Sequence, residues 1–124
     1  MGPRTLVAGI ALGRLALGTA LLAAPKQVVG TGWVGDEAKR PAAAVLLRAV
    51  GARDVAIALG TLVALRKRTP LTLWIVGATL SDGTDFFATL GAGQALPASA
   101  RAGVGAIAGS ALGAQLGLLR ALRG

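Results

Sequence analysis

Apolar residues run in four blocks along the chain, and polar residues concentrate between them. Residues 5–24 carry one charge, Arg14; residues 42–65 carry Arg48, Arg53 and Asp54; residues 71–90 carry Asp82 and Asp85; residues 102–119 carry none. At 1.5 Å per residue each block forms a helix about 27 to 36 Å long, which matches a hydrocarbon core of about 30 Å. Pro25, Pro41, Pro70 and Pro97 fall between the blocks, where a helix starts or stops anyway. The pattern predicts an all-α fold: four transmembrane helices, about 5–24, 42–65, 71–90 and 102–119, in one integral membrane domain covering residues 1–124.

The competing pattern, a soluble four-helix bundle, needs a charged stripe opposite each apolar one. In residues 102–119 the only polar side chains are Ser110 and Gln115, and in residues 5–24 they are Thr5, Arg14 and Thr19. No rotation of either helix produces a wet face. A cleaved signal peptide is a further alternative for the first block, but Arg14 interrupts its centre, whereas secretory apolar cores are uncharged and shorter. An N-myristoylation signal needs Ser or Thr at position 6, which is Leu6.

Composition narrows the chemistry. Of 124 residues 54% are apolar and 15% charged, with 13 Lys and Arg against 5 Asp and Glu, and neither Cys nor His is present. That excludes disulfides, thiol chemistry, the commonest metal ligand and the commonest general base. Arg4, Arg66, Lys67, Arg68, Arg120 and Arg123 share one side of the expected bundle, and Lys26, Lys39, Arg40 and Arg101 the other. The denser side is expected in the cytoplasm of a bacterial inner membrane, with both termini. The net charge of +8 then reads as anchoring at anionic headgroups. Nucleic acid is not an expected partner, since the basic residues are scattered and no aromatic stacking platform accompanies them. The longest connection, residues 24–41, holds Val28, Val29, Trp33 and Val34 among glycines. It reads either as an interfacial stretch with Trp33 at headgroup depth, matched by Trp74, or as an ordinary loop.

The ionisable residues inside the apolar blocks carry the candidate chemistry. A charge at a helix centre costs about 2.5 to 3.5 kcal/mol, and each Leu, Ile, Phe or Val returns about 0.3 to 0.6. The first helix has eight such apolar residues and can carry Arg14 alone. The second has ten against three charges, so those charges need partners. Counted from the outer ends, Arg48 lies about 9 Å deep, Arg14 about 15, Arg53 about 16, Asp54 about 18, Asp85 about 8 and Asp82 about 12. The expectation is an interior network of three arginines and three aspartates with zero net charge. In it Asp85 is nearest Arg48, Asp82 is within reach of Arg14 or Arg53, and Asp54 completes the set. Arg48 has a second option, snorkelling to the outer interface. The expected inward stripes are Ala11, Arg14 and Gly18; Ala49, Arg53, Ala56 and Gly60; and Ala78, Asp82, Asp85 and Thr89. Such a network either fixes helix register or, through the two acids at i and i+3, carries protons or ions.

Gly105, Gly109, Gly113 and Gly117 recur every four residues, three consecutive G-x-x-x-G units that suit close helix packing, and Gly9 and Gly13 add one more. The ladder serves either packing within the bundle or a homo-oligomer or partner subunit. No catalytic constellation, metal site or cofactor fingerprint is found. Asp82-Gly83-Thr84-Asp85 invites comparison with membrane CDP-alcohol phosphotransferases, but Phe86-Phe87 follows and no later acid exists. Two carboxylates are few for a hard cation that wants six oxygens.

Leu12-Gly13-Arg14-Leu15-Ala16-Leu17-Gly18, Arg48-Ala49-Val50-Gly51-Ala52-Arg53-Asp54 and the acids Asp82 and Asp85 together resemble a family of small, uncharacterised four-helix membrane proteins common in actinobacteria. A more distant likeness is to DoxX-type proteins. The resemblance covers nearly the whole chain and implies a polytopic bundle with no established activity. DoxX-type proteins are linked to thiol stress, and the lack of Cys departs from any direct redox role. The functional expectation is a non-enzymatic membrane module, either a self-associating bundle or an accessory subunit of a larger membrane complex. Its alternative is a small proton- or ion-coupled carrier or channel.

Overall fold

The computed structural model describes residues 2–29, 40–92, 109–111 and 113–121, and every regular element among them is helical. The elements are α1 (Pro3–Ala23), the short α2 (Pro25–Val29), α3 (Pro41–Lys67) and α4 (Thr72–Ala92). Residues 109–111 and 113–121 are helical as well and form the C-terminal segment. The first three apolar blocks therefore become helices, residues 102–108 and 112 of the fourth lie outside the described residues, and α2 is an addition that the pattern of blocks did not contain. Trp33, Lys39, Pro97, Arg101, Gly105 and Arg123 lie outside the described residues.

Proline sets the starts. Pro3 and Pro41 occupy the first turns of α1 and α3, where a missing backbone N–H costs nothing because that donor has no helical partner. At its other end α3 stops on Arg68, whose left-handed backbone (φ 56°, ψ 29°) turns the Arg68 and Thr69 amides back onto the Leu65 and Ala64 carbonyls.

Three pairs fix the antiparallel register of α1 on α3. The Arg4 Nη2 donates to the Leu65 carbonyl at 3.4 Å, Gly18 faces Gly51, and the Arg48 Nε donates to the Leu22 carbonyl at 3.2 Å. The middle pair explains why the helices come so close. A Cβ on Gly18 would lie 2.8 Å from the Gly51 carbonyl oxygen, and one on Gly51 would lie 2.6 Å from that of Gly18. Backbone meets backbone there, as small residues permit. Of the expected glycine ladder, Gly109, Gly113 and Gly117 are among the described residues and Gly105 is not. A Cβ on Gly109 would lie an ordinary 3.4 Å from the Phe86 ring, and nothing stands within 4 Å of a Cβ on Gly113 or Gly117 among the described residues.

The buried positions fall three, four or seven residues apart on α1 and three or four apart on α3. On α1 they are Val7, Ala11, Gly18 and Leu21; on α3 they are Ala44, Leu47, Gly51, Asp54, Ala58, Thr61 and Ala64. This is the seam of near-antiparallel helices packing side by side. On α3 it corrects the expected stripe: Ala49 and Ala56 are exposed, and the charge on the buried face is Asp54 rather than Arg53. On α4 the seam includes Ala78, Asp82 and Thr89, as the spacing predicts. At one end of the bundle Val7, Ala64, Leu71, Ile75 and Leu118 form an apolar core. Trp74 packs on that core with its indole over Gly60, where a Cβ would overlap the ring. Its ring is half-buried and packs within the bundle.

Candidate functional site

The candidate site is built where the seams of α1, α3, α4 and the C-terminal segment converge. Arg14 is one turn from Ala11 and from Gly18 on α1, and the small residues leave its long side chain room to cross the bundle. Its guanidinium donates from Nη1 to Asp54 Oδ1 at 2.9 Å and from Nη2 to Asp82 Oδ2 at 2.5 Å, joining α1 to α3 and α4. Gln115 donates from Nε2 to the same Asp82 oxygen at 2.6 Å, which brings in the C-terminal segment. Arg53 grips both oxygens of Asp85, at 3.2 Å and 2.8 Å, and its Nη2 lies 3.5 Å from Asp54 Oδ1. Two guanidiniums and three carboxylates form one connected set.

Burial grades across this set. The Arg53 and Asp85 side chains are 32% and 21% exposed, whereas Asp54 is 5% and Gln115 2% exposed as residues. The cluster thus has an open end at Arg53–Asp85 and a closed end at Arg14–Asp82–Gln115. Behind the closed end lies a cavity of ≈ 30 Å³, bordered by Arg14, Thr61 and Gln115 and by apolar Ile10, Trp74 and Leu118. The Thr61 hydroxyl already donates to the Ile57 carbonyl at 2.7 Å. Three buried polar atoms have no partner among the described residues: Gln115 Oε1, Ser81 Oγ and Arg53 Nε.

The structure brings together five of the six charges expected from spacing: Arg14, Arg53, Asp54, Asp82 and Asp85. Arg48 is the exception. It is exposed, and its Nε bonds the Leu22 backbone. Arg48 and Arg53 are five residues apart on one helix, so their side chains leave it in directions about 140° apart. Asp85 consequently pairs with Arg53 and not with Arg48. The expected neutral set of three and three becomes two positive and three negative groups.

Gln115 is the residue that sequence reasoning passed over. It and Ser110 are the only polar side chains in an otherwise apolar block, and an amide in such surroundings needs a hydrogen-bonding partner. That signal was present without any indication of which helix supplied the partner. As to metals, no group of three or more acidic, histidine or cysteine side chains is placed to hold an ion among the described residues. No family model matches the chain, and no curated protein and no solved structure matches it either.

Proposed function

We propose that this chain is a four-span integral membrane protein and a non-enzymatic bundle module, working as a self-associating unit or as an accessory subunit of a larger membrane complex. The observation that carries the reading is a set of buried polar groups beneath a surface of large exposed apolar side chains. Asp54, Thr61, Ser81, Asp82, Thr89 and Gln115 are buried, while Leu46, Leu73, Leu80 and Phe87 are each about two-thirds or more exposed. Water as solvent selects the opposite arrangement; lipid selects this one.

Among the described residues α1 alone is long and apolar enough to cross a membrane by composition. Only 22% of its most apolar stretch is buried, unlike the central helix of a soluble domain. The α3 and α4 helices fall short because of the aspartates and arginines at their centres, and most of those charges face one another inside the bundle. Paired in this way they need not meet lipid, which supports spanning by α3 and α4 too. The Arg66-Lys67-Arg68 turn supports placing both chain termini on the cytoplasmic side.

The natural lack of cysteine makes the test direct. Single cysteines at Arg4, Thr69 and Arg120 are expected to react with a membrane-impermeant maleimide only in inverted vesicles. One at Gln27 is expected to react only in right-side-out cells. Extraction of the chain by alkaline carbonate, or labelling of all four sites from one side, would reject the reading. A second reading, the small proton- or ion-coupled carrier, is favoured by the unequal count of acids and bases in the cluster.

A further inference from the structure

We propose that the buried cluster holds one exchangeable proton at neutral pH, seated on the Asp82 carboxyl against the Gln115 amide. The proposal deepens the proton-coupled reading and rests on the chain's lying in lipid.

Charge is the first argument. The ionisable groups facing the site are Arg14 from α1, Arg53 and Asp54 from α3, and Asp82 and Asp85 from α4, with none from the described part of the C-terminal segment before Arg120. Two positive charges against three negative ones leave one negative charge over. An unpaired charge in low dielectric is costly enough that the group usually neutralises by taking up a proton.

The second argument selects the acid. Asp85 has both oxygens on the Arg53 guanidinium, and Asp54 meets two guanidiniums. Asp82 has one guanidinium contact and one neutral amide, so it is the acid that shares a carboxylate oxygen with a partner that is not a cation. Guanidinium can only donate hydrogen bonds, whereas a glutamine amide both donates and accepts. Gln115 is therefore the one partner in the set that can serve either protonation state.

The third argument is independent of charge. Gln115 is 2% exposed, its Nε2 contacts Asp82, and its Oε1 has no partner among the described residues. A half-turn about the last side-chain bond presents that oxygen to a protonated Asp82, whose O–H then donates to it. The cavity beside Gln115 gives the amide room to turn. Hydronium at the open Arg53–Asp85 end supplies the proton: one of its O–H bonds breaks as an O–H bond forms on an Asp82 oxygen, and neutral water is left behind.

Infrared difference spectroscopy on the full chain in phospholipid nanodiscs tests this, since a neutral carboxyl has its own C=O band. The wild type is expected to show one such band at pH 7, lost on raising the pH. Asp82→Asn is expected to abolish it. Asp85→Asn is expected to abolish it as well, because two acids then balance two arginines while Asp82 is still present. Gln115→Leu is expected to shift the band upward in frequency as its hydrogen bond disappears. Circular dichroism confirms that each variant is helical, and flotation with the nanodiscs reports membrane residence separately.

A helical, lipid-embedded wild type without the band overturns the proton and leaves the membrane reading standing. A chain that does not float with lipid overturns both. A band that survives Asp82→Asn overturns the seat, and one that survives Asp85→Asn overturns the charge-balance cause. A band that falls when sodium replaces choline at constant pH assigns the surplus charge to a metal cation and overturns an exclusive proton site.

Discussion

The two ends of the bundle are held together by different physics along the same helix seams. Near Val7, Ala64, Leu71, Ile75 and Leu118 the seam is filled by aliphatic side chains that differ little from their surroundings if those are lipid. One or two turns away, Arg14, Asp54, Asp82 and Gln115 fill it with groups that have nowhere else to bond. Apolar contact in lipid brings only packing, without the driving force that water supplies. The ionic layer contributes directional contacts that only one register satisfies. The apolar end therefore contributes packing alone, and the charged layer sets which residues meet.

The strongest way to break this contrast is to remove an arginine from the charged layer. Arg14→Leu leaves Asp54 and Asp82 facing each other without their shared cation and is expected to destabilise the bundle by about 3–5 kcal/mol. Asp54→Asn, which evens the count of acids and bases, is expected to cost only about 1 kcal/mol. Thermal unfolding in detergent compares the pair, and equal losses would show that the unequal charge count has no consequence for stability.

Next in size is the backbone contact between α1 and α3. Gly51→Ala forces a methyl against the Gly18 carbonyl and is expected to cost about 1–3 kcal/mol, with wider spacing of the two helices. Gly113→Ala, on the open side of the C-terminal segment, is the control and is expected to be neutral in the isolated chain. A drop in oligomer mass with Gly113→Ile but not with Gly9→Ile would assign the ladder to association between molecules.

At the apolar end, Ile75→Ala is expected to lose about 1 kcal/mol, through packing alone. The same change in a water-solvated core costs about 2–5 kcal/mol because a transfer contribution is added. A loss in the upper range would mean that water and not lipid surrounds this bundle. The smallest effect has the opposite sign. Arg68 adopts the left-handed conformation without being glycine, so Arg68→Gly is expected to stabilise by about 0.5–1 kcal/mol while weakening the basic turn by one charge.

Much of the helical layout was legible because proline and charge punctuate apolar blocks whose lengths match single helices. The α1 and α4 stripes around Arg14 and Asp82 were legible too, since charges and small residues recur there at helical spacing. Arg53 misled on α3 because it and Asp54 are adjacent. Either can be placed on an inward stripe of small residues, and only packing against Gly18 shows that Gly51, and with it Asp54, faces the seam. The same packing turns Arg48 out to the Leu22 carbonyl.

Sequence by itself determined that the described residues are helical, where α1, α3 and α4 begin and end to within about two residues, and that the chain places charges where an apolar helix can carry few. Those are local properties, governed by backbone sterics, hydrophobic run length and side-chain spacing. Tertiary structure alone decided the membership of the cluster, its three-to-two imbalance and the entry of Gln115. Those depend on the rotation of one helix against another, and a rotation of one residue exchanges Arg53 for Asp54 without altering any local pattern.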